Sequence, residues 1–137
     1  MTYDRSCGAV VFTKIDGVIQ YVLVQESEGF WSFPKGRMEI GETEEETALR
    51  EISEEVYLKV NILPGFRTID EHAYPNRPDL IKQIVYFCAE YKDQEIIAQD
   101  DELLGVCLVP YEEAIRLFKY ESSKRILKEV NDFLTNK

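Results

Sequence analysis

The stretch of sequence that decides the fold runs from Gly36 to Leu58 and reads GRMEIGETEEETALREISEEVYL. Thr43 is followed three residues later by Glu46, which is the pattern of a capping box at the start of a helix. Apolar residues then recur at helical spacing, namely Ala48, Leu49, Ile52 and Val56. These signals predict a helix from about residue 44 to residue 56 with one apolar stripe facing the core.

The same segment is unusually acidic, with eight glutamates from Glu39 to Glu55. Glu51 lies three residues before Glu54 and four before Glu55, so the three carboxylates share roughly one third of the helix circumference. Like charges at this spacing oppose helix formation by a few tenths of a kcal/mol each. Arg50 can relieve part of this repulsion by pairing with a glutamate one turn away.

On a helix, the partner of Arg50 would be Glu46 or Glu54. Two interpretations of the acidic face itself stay open from spacing alone. One interpretation is a solvated acidic surface without a ligand. The other is a metal site, because hard oxygen ligands converging from one helix face suit Mg²⁺ or Mn²⁺. The neighbouring glycine turn at residues 34–36 favours the second interpretation.

On both sides of the helix the sequence predicts strands and further helices. Strands are predicted at residues 7–13, 21–25, 58–63, 66–69, 81–91 and 103–109, the first two as a hairpin closed by an Asp-Gly turn. Residues 30–35 are apolar and are stopped by Pro34 and Gly36. Residues 74–78 and His72 are predicted in loops. Helices are predicted at 111–118 and near the C-terminus. This order predicts one α/β or α+β domain over residues 1–137, with a mixed sheet and helices on both faces.

Composition narrows the classes of partner. A net charge of -10 argues against binding to nucleic acid or to anionic lipid. The three cysteines are widely spaced, which predicts reduced thiols rather than disulfides or a zinc site. No apolar run reaches the length of a membrane span. We therefore expect a cytoplasmic protein without a membrane or nucleic-acid partner, either a monomer or a homodimer.

In the helical segment the chain resembles the Nudix hydrolase family, whose pattern is G-x5-E-x7-R-E-U-x-E-E-x-G-U, with U a bulky aliphatic residue. The pattern falls on Gly36, Glu42, Arg50, Glu51, Ile52, Glu54, Glu55 and Leu58. One position departs from it, because Tyr57 stands where the family has a second glycine. A left-handed residue commonly ends a helix there, so Tyr57 costs about 1 kcal/mol or the helix ends differently.

The resemblance implies a Nudix-type α/β/α sandwich and metal-dependent hydrolysis of a nucleoside diphosphate linked to another group. The implied cofactor is Mg²⁺, with Mn²⁺ as the alternative. The implied metal ligands are Gly36, through its carbonyl, Glu51, Glu54, Glu55 and Glu102. Arg50 would orient the glutamates, and Glu42 would brace the loop or bind an outer ion. Glu54 or Glu102 would act as general base, so the implied catalytic residues are Glu54, Glu55, Glu102 and Arg50.

Within that family the chain is similar to the diadenosine tetraphosphate hydrolases that cut asymmetrically into ATP and AMP. The similarity lies in residues 6–12, 31–36, 41–51, 76–90 and 102–119. It implies polyphosphate contacts from Lys35, Lys82 and Tyr86, and adenine stacking on Tyr74 or Tyr120. Arg37 is a further implied substrate contact, although the subgroup often has histidine there.

Other functions remain open within the same resemblance. The substrate is a small nucleotide, and the alternatives to diadenosine tetraphosphate are an RNA 5′ end, an oxidised nucleotide and a nucleotide sugar. A nucleotide-binding regulator without catalysis is the alternative of a different class. Such a regulator would be expected to lack several of the metal glutamates, and this chain keeps all of them.

Overall fold

The computed structural model describes residues 2–96 and 104–136. Within these ranges it contains eight strands and three helices. The strands are β1 (Thr2–Ile15), β2 (Val18–Gln25), β3 (Trp31–Ser32), β4 (Lys35–Arg37), β5 (Asn61–Ile62), β6 (Thr68–Tyr74), β7 (Arg77–Glu90) and β8 (Gly105–Pro110). The helices are α1 (Glu44–Val56), α2 (Tyr111–Leu117) and α3 (Glu121–Thr135).

The strands form one mixed sheet built around the pair β1 and β7. These two run parallel, with Thr2 opposite Leu80 and Phe12 opposite Glu90. All other pairings are antiparallel: β2 and β4 pair with β1, β5 and β6 with β7, and β3 and β8 with β2. The hairpin predicted for the first two strands is confirmed. The central position of β1 explains its long run of buried residues.

Helices cover both faces of this sheet, as the sequence predicts. Side chains alternate along a strand, so Val11 of β1 faces α1 while Val10 faces α2 and α3. The α1 side is filled by Ile52 and Val56, and the other side by Ile126 and Leu127 among others. Two apolar cores therefore lie on the two faces of one sheet. In the described ranges no helix has the length and apolar composition needed to cross a membrane.

The predicted helix α1 is confirmed from its first residue to its last. The backbone N–H of Glu46 donates to Thr43 Oγ1 at 3.1 Å, and the N–H of Thr43 donates to Glu46 Oε1 at 2.8 Å, which completes the capping box. The predicted apolar stripe is wrong at one position. Leu49 is 39% exposed, whereas Thr47 is fully buried. Thr47 is tolerated there because its hydroxyl donates to Glu42 and to the Thr43 carbonyl.

Two other local predictions are corrected. Of the segment predicted as a loop at residues 74–78, only residues 75 and 76 form a turn, between β6 and β7, and His72 lies in β6 opposite Lys82. The strand predicted at 58–63 shortens to Asn61–Ile62. Both differences have the same cause, because the long strand β7 offers a partner whose register decides where its neighbours pair.

Candidate active site

Gly36 is pressed against the acidic helix by the sheet. It lies in β4 opposite Cys7 of β1, which holds its backbone beside α1. A Cβ atom on this glycine would overlap the carboxylate of Glu51. Only glycine permits this close approach, so the Gly36 carbonyl region and the Glu51 carboxylate form one surface.

Arg50 ties together the acidic side chains of this surface. Its Nε and Nη2 donate to the two oxygens of Glu42 at 2.6 and 2.9 Å, and Nη2 also donates to the Arg37 carbonyl at 3.0 Å. Its Nη1 donates to Glu51 at 2.8 Å and to Glu54 at 2.9 Å. The predicted pairing with Glu54 is confirmed, whereas Glu46 caps the helix instead.

This network controls the charge of Glu42. The hydrogen bonds from Arg50, aided by the backbone N–H of Glu39, lower the pKa of Glu42 to about 2. The hydrogen bond with Glu42 in turn raises the pKa of the Arg50 guanidinium. Glu42 therefore stays ionised at neutral pH and braces the loop before α1, because both of its oxygens accept from the guanidinium.

The three glutamates predicted as ligands lie in three different environments. The side chain of Glu54 is 57% exposed, that of Glu51 is 18% exposed, and Glu55 is a buried residue. Burial raises the pKa of Glu55 to about 8; the charge of Lys35 opposes this shift, and the charges of Glu26 and Glu51 add to it. Burial also raises the pKa of Glu51, against the hydrogen bond from Arg50. Glu55 is the most buried of the three, and the charge and the backbone N–H of Lys35 both oppose the rise of its pKa.

The oxygen atoms of Gly36, Glu51, Glu54 and Glu55 suit a hard divalent cation, although the carboxylates do not converge on one position. Among residues 2–96 and 104–136, no three Asp, Glu, His or Cys side chains are gathered as metal ligands. Arg50 instead donates hydrogen bonds to one oxygen of Glu51 and one of Glu54. The fit rests on the close approach of the Glu51 carboxylate to the Gly36 backbone and on a buried carboxyl, Glu55, whose proton a cation can replace. Glu102 lies outside the described residues.

A cavity of about 560 Å³ opens on the α3 side of the sheet, next to this surface. Two of the predicted substrate residues, Lys35 of β4 and Lys82 of β7, line it. Burial and the charge of Lys35 lower the pKa of Lys82, and the charges of Asp4 and Glu26 oppose that shift. Lys35 joins the two regions, because it lines the cavity while its charge and its backbone N–H both act on the pKa of Glu55.

The cavity also has an aromatic end. Tyr120, which is 45% exposed, meets Phe30 edge to face with ring centroids 5.4 Å apart, and both line the cavity. Tyr86 lines it as well, but it is 3% exposed and packs against Phe33. Tyr86 therefore presents only a small edge of its side chain to the cavity.

The remaining two predicted substrate residues meet elsewhere. The Tyr74 hydroxyl donates to Asp4 Oδ2 at 2.6 Å, and Arg37 donates to the same oxygen at 3.0 Å. Neither side chain lines the cavity. Their cluster is still close to it, because the charges of Asp4 and Arg37 both act on the pKa of Lys82.

Several acidic and basic residues of this region were missed from the sequence, Glu28 and Glu71 of the cavity lining among them. Asp70 and His72 line the cavity from β6, and Glu26 pairs with Lys35 at 3.0 Å. The alternation of side chains along a strand could have found Asp70 and His72, since β6 pairs with the strand that carries Lys82. Glu26 follows the end of β2 and has no local signal.

Comparison with known proteins agrees with this geometry. The sequence profile of the NUDIX domain matches residues 2–130. The bis(5'-nucleosyl)-tetraphosphatase [asymmetrical] of Rattus norvegicus is 33% identical over 142 residues, which cover 95% of each protein. The corresponding protein of Sus scrofa is 32% identical over the same shares.

Solved structures share the fold. A Caenorhabditis elegans Ap4A hydrolase in a binary complex superimposes with a TM-score of 0.88 at 23% identity, covering 98% of this chain and 99% of the other. The NUDIX domain of Shewanella oneidensis NrtR, complexed with ADP ribose, gives a TM-score of 0.79 at 19% identity, covering 98% and 90%. The motif from Gly36 to Leu58, the sandwich fold and the full-length similarity lead to one assignment: the chain belongs to the Nudix hydrolase family.

Proposed function

We propose that this protein hydrolyses diadenosine tetraphosphate asymmetrically into ATP and AMP, within the nucleoside polyphosphate hydrolysis that its family and relatives support. One observation carries the proposal. The carboxylates of α1 and the lysine-lined cavity meet at Lys35, so an anionic chain in the cavity reaches the acidic surface.

The cavity residues bind and orient the substrate in this proposal. Lys35 and Lys82 supply point charges for the polyphosphate, and their partial burial strengthens each contact. Phe30 and Tyr120 offer an aromatic end on which an adenine ring can stack. Arg37 and Tyr74, held at Asp4, would contact a substrate group that extends beyond the cavity.

The acidic surface supplies the chemistry. Mg²⁺, or Mn²⁺ in its place, would be held by the Gly36 carbonyl, Glu51, Glu54, Glu55 and Glu102. Bound there, the cations neutralise phosphate oxygens and lower the pKa of an attacking water. Arg50 keeps Glu51 and Glu54 on the same side of α1. Glu54 or Glu102 takes the proton of the water.

Chromatography of the products tests the proposal. Diadenosine tetraphosphate is incubated with the protein and Mg²⁺, with and without a chelator. We expect ATP and AMP in equal amounts, and no products in the presence of chelator. ADP as the sole product would contradict asymmetric cleavage. Faster turnover of an RNA 5′ triphosphate, an oxidised nucleotide or a nucleotide sugar on a parallel panel would overturn the substrate and leave the family chemistry in place.

A further inference from the structure

The loop that joins β2 to β3 holds Glu26 rigidly at the edge of the cavity. The backbone N–H of Glu26 donates to the Phe30 carbonyl at 2.9 Å, and the N–H of Gly29 donates to the Glu26 carbonyl at 2.8 Å. Gly29 has a φ of 97°, which a glycine adopts without strain. Both backbone groups of Glu26 are therefore bonded within its own loop.

The side chain of Glu26 is held as firmly as its backbone. Its Oε1 accepts from the hydroxyl of Ser32 at 2.8 Å and from Lys35 Nζ at 3.0 Å. Ser32 is 6% exposed, and the side chains of Lys35 and Glu26 are 18% and 26% exposed. One oxygen of the carboxylate is thus held by a buried hydroxyl and by the lysine together, where water screens the ion pair less than at an open surface.

The cavity lining holds Glu28, Asp70 and Glu71, and Glu26 adds a further carboxylate beside the site proposed for an anionic substrate. Its charge reaches well into the site, because it contributes to the pKa shifts of Glu55, Lys82 and Tyr86. A negative group repels phosphate, so direct substrate binding does not explain it. Lys35 does explain it, because a lysine that is free to move loses side-chain entropy when it is fixed.

We propose that Glu26 is a positioning residue for Lys35. It holds the ammonium at the boundary between the cavity and the carboxylates of α1, so that a phosphate meets a cation that is already ordered. An ammonium has three N–H donors, and Glu26 uses one of them, which leaves two for phosphate oxygens. The identity of the phosphate compound rests on the proposed function; the ordering of Lys35 does not.

A double-mutant cycle tests how Glu26 acts. Glu26→Gln removes the charge and keeps an oxygen that can accept from Ser32. We expect its KM for diadenosine tetraphosphate to rise roughly 5- to 10-fold with kcat changed less than about twofold, because ordering of a binding group is lost. In a Lys35→Gln background the same change should alter KM less than about twofold. Additive effects, an unchanged KM or a lowered KM would each overturn the proposal.

The control for net charge is Glu121→Gln. Glu121 lies in the first turn of α3 with a side chain that is 90% exposed, and it does not line the cavity. The substitution changes the total charge by the same amount as Glu26→Gln. We expect its KM to stay within about twofold of the parent, since an exposed charge is screened by salt. An equal rise of KM in both variants would show that general electrostatics, and not Lys35, carries the effect.

A second experiment measures the chemical reactivity of the Lys35 amine and requires no enzyme turnover. Competitive acetylation followed by mass spectrometry compares the reactivity of Lys35 with that of the exposed Lys92 in the same sample. We expect Lys35 to react at least about threefold faster in Glu26→Gln than in the parent, because the ammonium loses its partner. Equal rates would overturn the proposal. If the parent cleaves no nucleotide, the proposed function fails, and this labelling still decides whether Glu26 orders Lys35.

Discussion

The acidic face of α1 and the lysine cavity are both charged, but they are built in different ways. On α1, Arg50 donates hydrogen bonds to three carboxylates of one short segment, and their charges are partly neutralised before any ligand arrives. In the cavity, Lys35 and Lys82 come from two strands far apart in the sequence. The first region is preorganised by local contacts, whereas the second is assembled by the sheet.

This difference predicts different consequences of mutation. Changes on α1 should act on the chemical step, because its side chains hold their geometry before substrate binds. Changes in the cavity should act on binding, because its lysines supply charge without touching the reacting water. The kinetic experiments below distinguish the two regions by whether a substitution changes kcat or KM, and the stability experiments test the geometry of α1.

The largest effect is expected from Glu55→Gln. We expect kcat to fall at least ~10²-fold, a loss of about 2.7 kcal/mol in transition-state stabilisation, because a neutral amide is a poor cation ligand. Steady-state kinetics at saturating Mg²⁺ measures this. Glu45→Gln, which changes an exposed glutamate in the first turn of the same helix, is the control. A folded Glu55→Gln variant with near-normal turnover would remove Glu55 from the mechanism.

A slightly smaller effect is expected from Arg50→Lys. The substitution keeps the charge, but one ammonium cannot replace the planar group that bonds Glu42, Glu51 and Glu54 together. We expect kcat/KM to fall about 30-fold, mainly through kcat. Full activity in this variant would show that charge alone organises the acidic face, and the contrast with the cavity would be lost.

The pH dependence of stability tests the burial of Glu55. Its folded pKa of about 8 lies above the ordinary value of 4.5, so the folded state holds the proton more tightly than the unfolded state. Stability is therefore lost as pH rises from 4.5 to 8. In chelator at pH 8 we expect Glu55→Gln to unfold with a free energy about 2 kcal/mol higher than the parent. Denaturant titrations in which the stability difference between Glu55→Gln and the parent is the same at pH 5 and at pH 8 would contradict this.

Lys82→Met tests the cavity by itself. Lys82 is half-buried and lines the cavity. We expect KM to rise about 10-fold at low salt with kcat nearly unchanged. The difference in KM between variant and parent should shrink at high salt, because salt screens the charge of Lys82 in the parent. Lys92→Met, which removes an exposed lysine beyond the end of β7, serves as the control. A drop in kcat equal to that of the α1 variants would erase the distinction between the regions.

The smallest effect is expected at the end of α1. Tyr57 has φ 57° and ψ 32°, the left-handed conformation that suits glycine, and its side chain is exposed. We expect Tyr57→Gly to raise the free energy of unfolding by up to about 1 kcal/mol, because relief of strain exceeds the added freedom of the unfolded chain. Lys59→Gly, at an exposed position outside the left-handed region, should lower it. Thermal denaturation of both variants gives the comparison.

The helix could be predicted closely because its signals are local. A capping box, an apolar stripe and the spacing of the glutamates all lie within one segment, and they agree with each other. The exposure of Leu49 and the burial of Glu55 were not predicted. Periodicity gives the face of a side chain but not what covers it. Glu55 is buried on the helix that contacts β4, whereas Leu49 stays 39% exposed.

The cavity could be predicted only in part, because long-range pairing assembles it. Lys35 and Lys82 were assigned through the resemblance to a family, and the structure brings both to one cavity. His72 was expected in a loop because the turn at residues 75 and 76 hid the strand before it. Glu26 could not be found, because the ion pair with Lys35 depends on how β2, β3 and β4 lie together.

The parallel pairing of β1 with β7 has a consequence for how the chain folds. β1 is synthesised well before residues 80–90, so it must wait for them before its parallel pairing can form. Until then one edge of β1 stays open, and its apolar residues can pair with another chain. Contacts so distant in sequence slow folding, so we expect refolding in milliseconds to seconds rather than microseconds.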